Sequence, residues 1–186
     1  MGEAKVGRLF LGVPLPDDVR SALETRLRDA FGERLPGRAV PPANWHLTLR
    51  FLGATDAARH RRVADELARA DAPPPFDLTL STLGAFPRGG RAKVLWIGVG
   101  EGADALRALA GSVEAAAVRA GFAPEPKPFS PHLTLSRIDP PADVRPLLDG
   151  APPFGGRMRV DEFILFRSHL GHGHPRYEPI HRFPLR

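Results

Sequence analysis

The sequence predicts an α+β fold of two related lobes about a pseudo-two-fold axis, each an antiparallel-type sheet flanked by helices, with a central groove between them. Three observations predict it. His-Leu-Thr-Leu occurs at 46–49 and again at 132–135. Composition alone supplies about 0.2 copies of His-x-Thr in such a chain, and about 0.004 once both leucines are required. The order strand, helix, strand, helix, strand is legible in each half, and Asp17 to His46 spans the same 29 residues as Ala103 to His132. An internal duplication is the economical explanation. The expected organisation is one domain, 1–186, with lobes at roughly 7–86 and 92–166 and a closing strand at 176–185.

In chain order, the apolar run 8–13 reads as a buried strand. After Pro16 a helix follows, with Val19, Leu23, Leu27 and Phe31 at four-residue spacing, Asp17 and Asp18 at its positive end, and Gly32 as its stop. Residues 46–52 read as a strand. A basic helix comes next, capped by Thr55 with Val63 and Leu67 inward, and then an alternating strand through Phe76, Leu78 and Leu80. Pro87, Gly89 and Gly90 form a turn. The second half gives a strand at 93–99, an Ala-rich helix over 103–120 closed by Gly121, a strand at 132–138, a short helix at 141–148 and a strand at 158–166. The segment 177–185 adds a last strand. Pro-rich pieces at 35–42 and 124–131 lead into each motif as irregular approaches.

The 186 residues and 42% hydrophobic content suffice for a self-supporting core. The net charge is +5, and all but Lys5, Lys93 and Lys127 of the 26 basic residues are arginine, whose donor fork matches phosphate oxygens. The absence of cysteine excludes disulfides, thiolate nucleophiles and cysteine metal sites. Apolar runs are short and no export signal is legible at the start, so the expectation is a soluble, cytoplasmic monomer without membrane contact.

Side chains alternate along a strand, so His46 and Thr48 share one face while Leu47, Leu49 and Phe51 take the other, and His132 and Thr134 oppose Leu133 and Leu135. If the halves pack about a two-fold axis, two His-Thr edges line one groove. That symmetry suits in-line displacement at phosphorus. One imidazole takes a proton from the attacking water and its twin gives one to the departing oxygen, each step contributing roughly 10² to 10⁴ in rate. Histidine suits both roles because its ordinary pKa is near 6.5. The threonine hydroxyls can donate to non-bridging phosphate oxygens. No metal or other cofactor is required.

These residues resemble the two-histidine (2H) phosphoesterase superfamily and, within it, the RNA 2′,3′-cyclic phosphodiesterase family, also called 2′-5′ RNA ligases. The matching stretches are Arg8-Leu9-Phe10, Trp45 through Gly53, Val94-Leu95-Trp96, Pro131 through Arg137, and Phe166-Arg167-Ser168 to Tyr177-Glu178. The resemblance implies hydrolysis of a 2′,3′-cyclic phosphate at an RNA end to a 2′-phosphate without cofactor, and in some members 2′-5′ joining of RNA ends. It gives His46 the leaving 3′ oxygen, His132 the attacking water, and Thr48 and Thr134 the phosphate. Arg137 corresponds to an arginine expected near the phosphate. Strict alternation puts Arg137 on the leucine face, so that role needs the strand to end or bulge before it. Phe10 matches an aromatic near the site and is a candidate base-stacking residue. Arg50, on the His46 face by parity, is a candidate backbone-phosphate contact. Gly12 stands where many members have alanine.

Three rival readings carry less weight. His169, His172 and His174 cluster between Ser168 and Pro175, but their spacing suits no regular face and no acidic residue lies among them. Gly98-Val99-Gly100-Glu101-Gly102-Ala103 meets the G-x-G-x-x-A dinucleotide signature, but the first half has Pro14-Leu15-Pro16-Asp17 in the same place, so the position reads as an ordinary strand-to-helix turn. A non-catalytic RNA-binding module would use the basic helix Arg59, His60, Arg61 and Arg62, a run that reads equally as a solvated face.

Overall fold

A computed structural model describes residues 5–32, 35–88, 90–171 and 173–186, so Gly89 and His172 lie outside the described residues. The strands are β1 (Lys5–Pro14), β2 (Arg38–Ala39), β3 (His46–Asp56), β4 (Phe76–Phe86), β5 (Ala92–Val99), β6 (His132–Ala142), β7 (Arg157–Val160), β8 (Glu162–His169) and β9 (Arg176–Pro184). The helices are α1 (Asp17–Phe31), α2 (Ala57–Ala68), α3 (Ala103–Arg119) and α4 (Arg145–Asp149). This is the mixed α+β class the sequence predicts. The two expected sheets are instead one connected antiparallel path, β7-β4-β5-β6-β3-β1-β8-β9, with β2 on the side of β6. Its two wings meet at β3 and β6 through the single partner pair Leu47↔Leu133.

The wings do not coincide with the lobes at 7–86 and 92–166. β4 belongs to the first half of the sequence but pairs with β5, Phe86 opposite Val94, because a five-residue connection between antiparallel strands closes a hairpin. β8 belongs to the second half but pairs with β1 over Arg8–Gly12. The strand expected at 158–166 breaks at Asp161, β7 remaining with β4 while β8 crosses to β1. Each half of the sequence thus lends its last strand to the other wing. The helices cross as well: α1 lays Val19 beside Leu80 of β4, while α3 packs on β3 and α2.

Burial explains the elements. Val19, Leu23 and Leu27 bury the inner stripe of α1, and Leu106, Leu109, Ala110, Val113, Ala116 and Ala117 that of α3. The cap of α2 is Asp56 rather than Thr55: Asp56 Oδ1 accepts from Arg59 N at 2.7 Å, while the buried Thr55 hydroxyl donates to Gly53 O. β6 runs on to Ala142, which leaves α4 only the last turn of the helix expected at 141–148. Leu11, Leu47, Leu95, Leu133 and Leu165 have no exposure, which fixes the central strands as the floor of the core.

Candidate active site

The Leu47↔Leu133 pair sets the geometry of both motifs. Directly paired residues on antiparallel strands face the same side, and their sequence neighbours face the opposite one. With the two leucines turned into the core, His46, Thr48, His132 and Thr134 all rise from the other face at the centre of the sheet. His46 and His132 then stand as diagonal cross-strand neighbours, a relation that places positions about 7–8 Å apart. The four polar side chains are partly exposed while Leu47, Leu49, Leu133 and Leu135 are buried.

Both motif strands bulge three residues after the histidine. Leu11 opposes Arg50 and Gly12 opposes Thr48, leaving Leu49 unmatched. Leu95 opposes Ser136 and Trp96 opposes Thr134, leaving Leu135 unmatched. The extra residue reverses the parity beyond it, and the burial order is partial, buried, partial, buried, buried, exposed in both strands. Arg137 is thereby exposed on the histidine face, and its charge acts on His46, His132 and Tyr177. The bulge that the arginine role required is present.

The same bulge corrects two expectations for the first half. Arg50 lies on the core side, 7% exposed. Its guanidinium contacts Glu125 and the Ala123 carbonyl, and its Nε lies 2.8 Å from Glu114 Oε2, so it is not available to a substrate phosphate. Phe51, expected on the leucine face, is 58% exposed beside Phe10 on the histidine face, at 5.9 Å between ring centroids. Phe51 is therefore the counterpart of Arg137.

Each imidazole is clamped through Nδ1, which donates to a carbonyl two residues earlier at 2.7 Å, Asn44 O for His46 and Ser130 O for His132. A carbonyl only accepts, so the neutral ring in each case keeps its lone pair at Nε2. In His46 that atom accepts the Thr48 hydroxyl at 2.9 Å. Aromatic rings surround both. Phe10 lies 4.8 Å from His46, Tyr177 meets it edge-on at 5.3 Å, and Phe166 stacks behind Phe10. Phe86 meets His132 edge-on at 5.2 Å and Trp96 stands at 6.2 Å. Trp96 lies flat over Gly84, where a Cβ would come within 2.2 Å of the indole. Desolvation disfavours the charged ring. Burial lowers His46 to about 4 against the raising effect of the Asn44 carbonyl, with the His132 and Arg137 charges pushing further down. His132 is lowered as well, by burial first and by Arg137, while its Ser130 bond acts upward.

Phe10 does not present a face to a base: at 3% exposure it is the back wall of His46. The sequence reading missed Phe51, Phe86, Trp96, Phe166 and Tyr177 as parts of the site. The signal that could have found Phe51 was its place five residues after His46, as Arg137 is five after His132. In the histidine-rich segment His169 Nε2 lies 2.6 Å from Glu178 Oε2, and His172 lies outside the described residues. Among the described residues no group of three or more His, Cys, Asp or Glu is placed to hold a metal ion. The glycine-rich turn packs against β4: Thr79 N donates to Glu101 O, Gly100 N donates to Thr79 O, and a Cβ on Gly102 would stand 2.3 Å from Asp77 O. Its backbone is spent on the fold rather than presented to a pyrophosphate. Arg59 of the basic helix lies over Phe122 at 5.5 Å, and His60 faces His181.

No helix among the described residues is long and apolar enough to cross a membrane. Residues 15–172 match the 2′-5′ RNA ligase superfamily. The chain is 37% identical over 191 residues to the RNA 2′,3′-cyclic phosphodiesterase of Thermus thermophilus, covering 96% of this chain and 90% of that protein. It is 33% identical over 178 residues to the protein of the same name from Escherichia coli, covering 96% of each. The crystal structure of E. coli LigT complexed with 3′-AMP superposes with a TM-score of 0.82 at 31% identity, over 98% of this chain and 99% of that one. With this coverage and with paired His-x-Thr strands meeting at the centre of one sheet, the chain belongs to the 2′-5′ RNA ligase superfamily.

Proposed function

We propose that the protein opens the 2′,3′-cyclic phosphate at an RNA end to a 2′-phosphate by metal-independent acid–base catalysis between His46 and His132. The observation that carries this reading is the placement of two Nδ1-clamped imidazoles as diagonal neighbours on one sheet face, with Arg137 beside them. Relatives that bear the name RNA 2′,3′-cyclic phosphodiesterase support the substrate. The two wings form one domain with a groove at their junction, and the matching bulges and clamps are the trace of a duplicated unit.

In this reading the cyclic phosphate sits between the two Nε2 atoms. His132 takes the proton of the attacking water while the bond from phosphorus to the 3′ oxygen breaks and His46 protonates that oxygen. Thr48 leaves His46 Nε2 and joins Thr134 and Arg137 in holding the non-bridging oxygens. The low pKa of the free His46 makes it a strong acid, and the arriving phosphate charge favours its protonated form. With an RNA 5′-hydroxyl in place of water, the same displacement forms a 2′-5′ linkage. The acting species is a cytoplasmic monomer.

Phosphorus NMR of the product from an oligonucleotide ending in a 2′,3′-cyclic phosphate tests the reading. A 2′-phosphate product, formed equally well with a chelator present, is expected. A 3′-phosphate product, or no reaction, overturns it.

A further inference from the structure

The two Pro-rich approaches deliver the histidines, and besides bonds within its own half, such as Trp45 Nε1 to Val40 O and Glu125 N to Glu114 Oε1, each is anchored on the strand of the opposite histidine. The first arm, residues 35–44, ends at the Asn44 carbonyl that clamps His46, and it is held by β6, the strand of His132. Ser136 Oγ donates to Pro36 O at 2.6 Å, Val40 N donates to Leu135 O at 2.7 Å, and Arg38 and Ala39 pair with Arg137 and Ser136. Gly37 is pressed so close that a Cβ would lie 2.4 Å from Arg137 O. The second arm, residues 123–131, ends at the Ser130 carbonyl that clamps His132, and it is held by β3, the strand of His46. Arg50 Nη2 donates to Ala123 O and Nη1 pairs with Glu125, while Glu114 of α3 receives Glu125 N at 2.8 Å and faces Arg50 Nε at 2.8 Å.

Arg50 and Ser136 occupy the same place, four residues after His46 and His132. Both are turned inward by the bulge, and both are buried. Each donates to a carbonyl nine or ten residues before the opposite histidine, Ala123 for Arg50 and Pro36 for Ser136. The second arm is stiffened by Pro124, Pro126, Pro128 and Pro131, so a displacement at its anchor reaches His132 with little slack.

We infer that Arg50 and Ser136 are reciprocal positioning residues, each fixing the histidine of the other strand and together setting the separation of the two imidazoles. The inference rests on the reading of His46 and His132 as the working pair. A displacement of 1 Å in such a pair is enough to lower turnover up to about 10²-fold.

The test is imidazole NMR of the free protein alongside steady-state kinetics on a cyclic-phosphate-ended oligonucleotide. Ser136→Ala, one atom smaller on the strand of His132, shifts the His46 ring resonances more than those of His132. Arg50→Met, on the strand of His46, shifts His132 more than His46, and Arg50→Lys restores part of the effect. Each disruption lowers kcat about tenfold or more with KM changed less than about twofold. If Arg50→Met does not fold, Ser136→Ala decides alone. Resonance shifts larger at the same-strand histidine, or unchanged kcat in a folded variant, overturn the inference. Because the NMR needs no substrate, a wild-type protein that opens no cyclic phosphate sinks the function while leaving the crossed pattern to be read.

Discussion

His46 and His132 share a strand position, a clamp and a neighbouring threonine, but not their surroundings. His46 backs onto Phe10, itself packed on Phe166 and Tyr177, and its Nε2 receives Thr48. His132 meets Phe86 and Trp96, and no Thr134 bond to it is formed among the described residues. The groups beyond the bulges differ in kind as well, Phe51 on one strand and Arg137 on the other. Two strands of matching geometry carry chemically distinct surroundings, which is what an acid and a base drawn from the same residue type would require.

The strongest way to break this comparison is to remove the rings one at a time. His46→Ala and His132→Ala should each lower single-turnover hydrolysis by at least about 10²-fold while circular dichroism shows a retained fold. The double variant should fall little further, since groups that act as a unit are non-additive. Should one single variant keep most of the wild-type rate, the two histidines do not form an acid–base pair.

Burial separates the rings further, and it has a sign in pH. The free-protein limbs of kcat/KM should both lie below 6.5, one near 4, because both histidines are lowered. The kcat limbs should lie higher, because the bound phosphate favours protonation. Stability follows the same imbalance. Between about 4 and 6.5 the unfolded chain protonates His46 while the folded protein does not, so stability is full above 6.5 and falls as pH drops through that window. His46→Gln should flatten the fall by on the order of 2 kcal/mol in denaturant titrations at pH 7 and 4.5, and an unflattened curve removes burial as the cause.

Much of this was legible in the sequence, and the failures share a cause. Periodicity reads which face a residue takes, so the paired motifs and the apolar stripes of α1 and α3 emerge from it directly. A bulge adds one residue without changing composition, and counting by twos past Leu49 therefore sent Arg50 outward and Phe51 inward. The family arginine at 137 exposed the same problem in the second half, and applying its bulge to the first half would have corrected both residues. Nor does periodicity say which strands become neighbours. That β4 joins β5 and β8 joins β1 follows from a short hairpin connection and a break at Asp161, so the lobes drawn along the chain were not the wings found in space.

The smallest expected effect sharpens the comparison at a matched pair of glycines. Gly12 lies opposite Thr48 and Gly98 opposite His132, each on the strand flanking a motif. A Cβ on Gly12 would stand 3.1 Å from Leu47 O and 3.2 Å from Cδ2 of His46, against the imidazole itself. A Cβ on Gly98 would stand 3.2 Å from both Ser81 Oγ and Cζ3 of Trp96, one ring removed from His132. Neither glycine has a positive φ, so alanine strains no backbone and only the neighbour must give. Gly12→Ala should therefore displace His46 by a few tenths of an ångström and lower kcat about two- to threefold, whereas Gly98→Ala should leave kcat within about twofold and disturb Trp96 fluorescence instead. Equal effects of the two alanines on kcat would mean that His46 is no more tightly packed than its twin, and the difference between the two imidazoles would then have to rest on Thr48 and Arg137 alone.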